Sequence, residues 1–280
     1  MPSFDTPGAI AVTAHVESGS IRFLAGDRLD TLVEVAPRDP EKDRDVRAAE
    51  QTEVACAGGA LTVRTPKGGL FGRTGTVDVT VELPRGSRID VTGTWAEVLG
   101  EGVLGEVQVK TSSGDTRFDT TGPLRLNAAH GSIAVDRIDG PAEITTSSGN
   151  MRVGVVNGPA VLKNSHGTTT VGTVTGDLRA NGAHGDIAIA RAESSVAATT
   201  AYGALRVAEV ARGTVHLETS YGAIEVGIRA GTATWLDVSS ERGQVRNTLD
   251  VSDGPEKTED SAEVRARTRW GSIDIRRALA

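Results

Sequence analysis

The sequence predicts an all-β fold, a β-solenoid in which two-strand repeats of about 18 residues stack like the coils of a parallel β-helix. Three observations predict it: a regularly spaced turn glycine, an alternating apolar pattern on both sides of that glycine, and a composition with 34 glycines and only 3% aromatic residues. The glycines recur every 17 to 19 residues, a register that chance does not maintain. They are Gly114, Gly131, Gly149, Gly167, Gly185, Gly203 and Gly222, with looser copies at Gly243 and Gly271.

The alternation predicts two short strands in each copy, with every second side chain in the core. In the copy around Gly185, for example, Ile187 and Ile189 follow the turn as inward positions, and Ala188 between them points outward. A period of two residues is typical of strands that have one buried face. The same apolar positions recur at the same offsets in the other copies, which predicts columns of like residues along the stack.

Two architectures are consistent with this pattern. In a solenoid, successive copies pair in parallel about 4.8 Å apart, so equivalent positions lie above one another. In an antiparallel β-sandwich, the glycine turns would be hairpins. The solenoid is favoured, because stacking requires the same residue class at the same offset in every copy and a hairpin array does not.

The chain reads as one domain over residues 1–280. Residues 1–86 contain N-terminal strands and a charged excursion, whose residues 36–51 are expected to form a loop or a short helix. Residues 87–249 contain the regular repeats. Residues 250–280 contain an acidic loop, 250–263, and C-terminal capping strands. The glycine-rich stretch 67–75 is expected to be a flexible hairpin tip or loop.

Composition restricts the function classes. The net charge is −7, which argues against general binding to nucleic acid or to an anionic membrane surface. The single cysteine, Cys56, cannot form an internal disulfide. We find neither a signal-peptide pattern at the N-terminus nor an apolar run long enough to span a membrane. These features lead us to expect a soluble cytoplasmic protein.

The plan of the chain resembles a bacterial β-strand-repeat family known as a "putative adhesin" domain of unknown function. The features that carry the resemblance are "ESGSIRF", a strand ending in "VTVELPRG", and serial turns such as "SSGD", "AHGS" and "SYGA". It covers roughly residues 8–277. It implies the repeat fold and an adhesin-like binding role, and it supplies no catalytic residues.

The residue before each turn glycine forms another regular series, which a stack would align along one corner. Its members are Trp95, Ser113, His130, Ser148, His166, His184, Tyr202, Tyr221, Arg242 and Trp270. His166 and His184 would be adjacent, with Asp186 nearby, as in part of a metal or anion site. Because zinc needs three or four ligands, a structural row of stacked side chains is the favoured interpretation. We predict neither a metal site nor a cofactor.

No pattern in the sequence identifies a catalytic site. The serines near the turns recur as small turn residues, whereas a nucleophile needs one oriented base. Carboxylates stand on several different strands, an arrangement from which a parallel β-helix enzyme can build an acid–base pair. They are Asp115, Asp119, Asp136 and Asp186.

An arginine cluster marks the C-terminal copies of this acidic chain, and it is the predicted partner-binding site. Its members are Arg242, Arg246, Arg265, Arg267, Arg269 and Arg276. Sequence order makes the copy at 261–277 the terminal rung. The charges could therefore discourage edge-to-edge pairing of its last strand. They could instead dock an acidic protein or glycan, since guanidinium groups pair well with carboxylates.

The sequence therefore predicts a non-enzymatic binding or structural module that recognises a protein or glycan through its stacked β surface. A carbohydrate-active β-helix enzyme is the alternative, and a cleft with converging carboxylates would distinguish it. A third possibility is a scaffold that self-associates weakly through the solenoid ends.

Overall fold

The computed structural model describes residues 2–66, 74–249 and 260–278. The chain divides into two compact units, unit 1 over residues 1–139 and unit 2 over residues 140–280. The expected flexible tip (67–75) lies almost wholly outside the described residues, and so does most of the expected acidic loop (250–263). Across the described ranges, no helix has the length and apolar character needed to cross a membrane.

Unit 1 contains eleven strands and one helix within its described residues. They are β1 (Ser3–Asp5), β2 (Ala11–Gly26), β3 (Asp30–Pro37), α1 (Asp43–Glu50), β4 (Glu53–Ala57), β5 (Ala60–Arg64), β6 (Val77–Pro84), β7 (Arg88–Val103), β8 (Val107–Ser113), β9 (Thr116–Thr121), β10 (Leu124–His130) and β11 (Ile133–Ile138).

Unit 2 contains fourteen strands within its described residues. They are β12 (Ala142–Ser148), β13 (Met151–Val156), β14 (Ala160–His166), β15 (Thr169–Val174), β16 (Leu178–His184), β17 (Ile187–Ala192), β18 (Val196–Tyr202), β19 (Leu205–Val210), β20 (Gly213–Tyr221), β21 (Ile224–Ile228), β22 (Ala233–Arg242), β23 (Val245–Asn247), β24 (Ser261–Trp270) and β25 (Ile273–Arg277).

The N-terminal part of unit 1 joins a parallel stack to antiparallel strands. Strand β2 pairs in parallel with β7 along nearly its whole length, and with β5 and β6 on its other side. Strand β3 pairs antiparallel with β6, and β4 pairs antiparallel with β5. The charged excursion forms α1, which packs against β3 and is tied down by buried Asp45, whose Oδ1 accepts a hydrogen bond from the Thr76 backbone N–H at 3.0 Å. Of the two structures expected there, the short helix is the one that forms.

Unit 2 is a parallel stack with the register that the repeat predicts. Each copy contributes one strand to each of two ladders, and equivalent residues of consecutive copies pair directly. Leu162 pairs with Ala180 in the first ladder, and Ile187 pairs with Leu205 in the second. This parallel, in-register pairing confirms the solenoid-like fold and excludes the antiparallel sandwich for these copies.

The core contains the alternating apolar columns. Ile187 and Ile189 are 3% and 1% exposed, whereas Ala188 between them is half-buried, as the predicted inward and outward positions require. Three inward positions depart from this rule, namely Leu236, Val238 and Val245. All three lie in the copy formed by β22 and β23, which has neighbouring strands on only one side within the described residues.

The order of the last two copies differs from their order in the sequence. Strand β24 pairs with β20 on one side and with β22 on the other, and β25 likewise lies between β21 and β23. The prediction that residues 261–277 form the terminal rung is therefore wrong. The spacing of 28 residues between Gly243 and Gly271 leaves enough chain for this exchange. The exchange buries Val264 and Ala266 completely, because both gain neighbours on two sides.

Candidate functional site

The residues that precede the turn glycines form a continuous stack of rings along one corner of unit 2. Register pairing places His166, His184, Tyr202, Tyr221 and Trp270 one above the next. The first four rings are almost parallel, with centroids 4.9 to 5.0 Å apart, and Tyr221 and Trp270 are 6.3 Å apart. We call these five side chains the aromatic ladder. Parallel pairing aligns one ring per copy because every copy has the same number of residues between its core positions and its turn.

The C-terminal copies end the ladder with a cation. Arg242 lies on β22, which pairs with β24. Its guanidinium is 4.5 Å from the centroid of the Trp270 ring. A guanidinium over an indole face is a favourable cation–π contact. Arg269 precedes Trp270 and is exposed, and it has no ion pair among the described residues. The exchange of strand order therefore keeps the rings of Tyr221 and Trp270 adjacent and places Arg242 at the end of the row.

The ladder is exposed, although aromatic side chains are usually buried. Every tyrosine and tryptophan of the chain is 46 to 65% exposed, namely Trp95, Tyr202, Tyr221, Trp235 and Trp270. In the described part of the chain, the hydroxyls of Tyr202 and Tyr221 have no hydrogen-bond partner. Because the ring faces are occupied by stacking, the ladder presents ring edges, hydroxyls and ring N–H groups to the solvent.

A column of buried threonines supports the ladder from inside, and the sequence analysis missed it. Thr219 Oγ1 donates to the Gly203 carbonyl and Thr268 Oγ1 to the Gly222 carbonyl, both at 3.0 Å. Each bond joins the turn of one copy to the strand of the next. A threonine two residues before the ring in three copies, at 200, 219 and 268, was the available signal.

The arrangement of the His166 and His184 rings does not suit a shared metal ion. The imidazoles of His166 and His184 are parallel within 3° and stacked, so their nitrogen atoms do not converge on a common point. His166 Nδ1 also lies 3.3 Å from the Ser147 carbonyl oxygen. Among the described residues, no group of three or more histidine, cysteine or carboxylate side chains could hold a metal ion. Asp186 Oδ1 accepts a hydrogen bond from the Ala204 backbone N–H at 2.8 Å instead.

The six predicted arginines are spread over the two strand ladders of unit 2 and over the corner that carries the aromatic ladder. Arg265 and Arg267 point outward from β24, Arg242 and Arg269 lie near the corner, and Arg246 and Arg276 lie on the second ladder. Arg267 forms an ion pair with Asp237 at 2.6 Å, and Arg265 forms one with Glu263 at 2.6 Å. Arg276 lies 4.0 Å from Glu225. Of these six arginines, Arg242 contacts the aromatic ladder, and Arg269 is the sequence neighbour of its last ring, Trp270.

A network of ion pairs joins three copies on another edge of unit 2. Arg229 donates two hydrogen bonds to Glu193, at 2.7 and 3.0 Å, and also pairs with Glu209. Glu209 is paired with Arg191 at 3.0 Å as well. The two bonds from Arg229 hold the pKa of the Glu193 carboxyl below its ordinary value. This network stabilises the stack and leaves none of its carboxylates unpaired.

Three of the four candidate carboxylates accept backbone hydrogen bonds from a neighbouring copy, whereas Asp136 is exposed on β11. Asp115 accepts a hydrogen bond from the Ser132 backbone N–H at 2.8 Å, and in unit 2 Asp186 accepts one from the Ala204 backbone N–H at the same distance. A shallow depression in unit 1 does bring Asp119 and Glu101 together with two arginines. There, Asp119 accepts the Gly102 backbone N–H at 3.0 Å, and Glu101 pairs with Arg22 at 3.6 Å. Both carboxylates are thus engaged in structural contacts.

Parallel in-register copies with glycine turns and an apolar interior define a β-solenoid repeat protein. A family model described as Toastrack DUF4097 matches residues 9–276, and the chain belongs to this family.

Several solved structures are similar to the chain at low sequence identity. One is described as a "putative adhesin" from Bacteroides fragilis (12% identity, 98% of this chain and 95% of that chain covered, TM-score 0.37). Another is a "putative cell adhesion protein" from Clostridium sporogenes (11% identity, 99% and 98% covered, TM-score 0.21). A third is a "putative adhesin" from Parabacteroides distasonis (10% identity, 98% and 95% covered, TM-score 0.33). No curated protein sequence matches the chain.

Proposed function

We propose that the protein is a non-enzymatic binding module, and that the aromatic ladder with Arg242 and Arg269 is its recognition site for an acidic glycan chain. The observation that carries the proposal is the exposure of every tyrosine and tryptophan, three of which stand in one row. Side chains with an apolar body and a polar tip are enriched at recognition surfaces. The chain has few aromatic residues, and exposed rings contribute little to its hydrophobic core.

The chemistry of the ladder favours a ligand rich in hydrogen-bond acceptors. Ring edges carry partial positive charge, and the tyrosine hydroxyls and the indole N–H are donors. Arg242 adds a cation over Trp270 at one end of the row, and Arg269 is an exposed cation one residue before Trp270 in the same strand. Carboxylate or sulfate groups on a sugar chain would match both features, because guanidinium groups form strong charge-assisted hydrogen bonds with such anions.

The shape of the ladder favours a chain-like ligand over a folded protein. The row is one residue wide, and its rings repeat every 4.9 to 5.0 Å over four copies. A stable protein–protein interface buries about 1,200–2,000 Å² around a well-packed centre, and a single row of ring edges does not provide such a centre. A flexible or extended polymer can make the same contact at successive copies.

Biolayer interferometry with immobilised polysaccharides tests the proposal. The acidic probes are polygalacturonate, hyaluronate and heparin, and dextran is the neutral probe. We expect saturable, salt-sensitive binding to at least one acidic chain and none to dextran. Replacing Tyr202 and Tyr221 together by serine, or Arg242 and Arg269 together by serine, should weaken binding about tenfold or more. Trp95→Ser in unit 1 is the matched control and should bind normally.

Two outcomes would contradict the proposal. Binding that survives both double variants would move the site away from the ladder, and absence of binding to every acidic chain would remove the glycan as ligand. The enzymatic alternative has its own readout in the same samples. If the chain length of a bound polysaccharide fell during incubation, and the fall required Glu101 or Asp119, the protein would be a carbohydrate-active enzyme.

A further inference from the structure

The corner position that carries the aromatic ladder in unit 2 is occupied differently in unit 1. There, three neighbouring strands place Trp95, Ser113 and His130 in register, so that a serine stands between two ring-bearing residues. All three residues belong to unit 1. We call the space over Ser113, between the side chains of Trp95 and His130, the open rung.

The turns beside the open rung stack as closely as those of unit 2. A Cβ at Gly114 would lie 2.1 Å from the Ala96 carbonyl oxygen, and one at Gly131 would lie 2.2 Å from the Gly114 carbonyl oxygen. Beside the aromatic ladder, the corresponding distance from Gly185 to the Gly167 carbonyl oxygen is 2.2 Å. The corner side chains of unit 1 are therefore expected to repeat at the same interval as the rings of the aromatic ladder.

This interval leaves space for one ring. Two strand spacings separate Trp95 from His130, about 9.5 Å, which exceeds the separation of about 4.5–7 Å at which ring centroids stack. In unit 2, the same two spacings separate His166 from Tyr202, and the ring of His184 lies between them with centroids 5.0 and 4.9 Å away. A ring placed in the open rung would lie at stacking distance from both of its neighbours.

The groups around the open rung are free to bind a ligand. Within the described ranges, neither Trp95 nor His130 stacks on another ring or on a cation, and both are exposed, Trp95 to 65%. Ser113 is half-buried, and its hydroxyl has no hydrogen-bond partner in that part of the chain. The open rung thus offers two aromatic faces and one hydroxyl that can donate or accept a hydrogen bond.

We infer that the open rung binds a planar aromatic ring, which stacks between Trp95 and His130 and completes the row. An aromatic ring is selected over a saturated one, because stacking of π-systems adds to the effect of burying apolar surface. A ring with an N–H or O–H group can also form a hydrogen bond with the Ser113 hydroxyl. Indole and phenol rings have both features.

N-acetyl-tryptophanamide and N-acetyl-cyclohexylalaninamide are the probes, because both are uncharged capped amino acids and only the first has an aromatic ring. In NMR titrations, we expect the aromatic probe to shift the indole N–H resonance of Trp95 and the amide resonances of residues 94–97, 112–115 and 129–132. The saturated probe should bind about fivefold more weakly or not at all. Trp95→Ser and His130→Ser should each weaken binding of the aromatic probe about fivefold, measured from the remaining amide shifts.

Two tyrosine substitutions distinguish the open rung from the other face of Trp95. Ser113→Tyr should abolish binding, because the new ring fills the space, and Tyr202 and Tyr221 show that this corner position accepts a tyrosine. Ser18 pairs in register with Trp95 on the side away from Ser113, so Ser18→Tyr is the matched control. It should leave binding unchanged, since it covers only the other face of the indole.

The inference fails if the aromatic probe causes no shifts at these residues, or if the saturated probe binds as well. It also fails if a folded Ser113→Tyr variant, checked by its melting temperature, still binds the aromatic probe normally. Should that variant not fold, normal binding to His130→Ser overturns the inference in its place. Because the probes contain no sugar and no charge, and no residue of the aromatic ladder is changed, the outcome is independent of the glycan-binding test.

Discussion

The turn glycines are the residues on which the stack depends most directly. Gly185 has φ +135°, a conformation that side chains with a Cβ rarely adopt. A Cβ at this position would also overlap the Gly167 carbonyl of the neighbouring copy. The glycine is therefore required twice, by its own backbone and by the close approach of the next turn.

We expect Gly185→Ala to lower the free energy of unfolding by about 2 kcal/mol or more, since backbone strain and an overlap with the next turn add together. Asp186→Asn should be nearly neutral, because an asparagine Oδ1 can still accept the Ala204 N–H. Denaturant unfolding followed by circular dichroism gives both values. Equal destabilisation by the two substitutions would show that the turn does not depend on glycine.

The burial of most individual side chains could be predicted from the sequence, because a period of two residues assigns a face of the strand to each position. The burial of Ile187 and Ile189 and the outward position of Ala188 follow from that alternation. The hydrogen bonds from Thr219 and Thr268 to the turn carbonyls could not be predicted, since alternation does not show which inward threonine reaches which carbonyl.

At the scale of the strands, the aromatic ladder is predicted to be free of metal. Two ligands of one zinc ion must both approach it to about 2.0–2.1 Å, whereas the rings of His166 and His184 are parallel with centroids 5.0 Å apart. Zinc and EDTA should each leave the melting temperature unchanged in differential scanning calorimetry. A zinc-dependent rise that disappears in His166→Ala would make the pair a metal site.

The network of Arg229, Glu193 and Glu209 predicts a pH-dependent contribution to the stability of strands β17 to β21. Because the folded-state pKa of Glu193 is lowered by Arg229, the unfolded chain binds its proton more readily. The stabilisation is therefore complete above the ordinary glutamate pKa of about 4.3 and is lost as the pH falls through the lower folded-state value.

Glu193→Gln should consequently lower the free energy of unfolding at pH 7, by up to about 1 kcal/mol because the pair is partly solvated. The difference from the unsubstituted protein should shrink as the pH is lowered below about 4. Glu241→Gln, at an exposed position with no ion pair among the described residues, is the control and should show no such trend. A difference that stayed constant with pH would mean that the carboxylate charge of Glu193 does not stabilise the fold.

At the scale of the whole chain, the repeat predicted the kind of stack but not the order of its last two copies. Both copies carry the same alternation, so hydrophobic pattern alone allows either order within unit 2. One signal was available: sequence order would place Arg242 between Tyr221 and Trp270, whereas the observed order keeps the rings contiguous. The order also determines whether the arginines on β24 can protect a sheet edge. They cannot, because β24 is not an edge strand.

The final prediction concerns these arginines. Edge protection by Arg265, Arg267 and Arg269 presupposed that their strand has unpaired backbone groups, but β24 is paired on both sides. Replacing all three by serine should therefore leave the mass in light scattering unchanged over a range of concentrations. Loss of the Arg267–Asp237 pair should cost about 1 kcal/mol or less.

Because Arg269 adjoins the aromatic ladder, binding to the acidic polysaccharide should weaken. Concentration-dependent association would show that these charges do oppose self-association through neighbouring β22, and unchanged mass with unchanged binding would make the three arginines ordinary solvated surface.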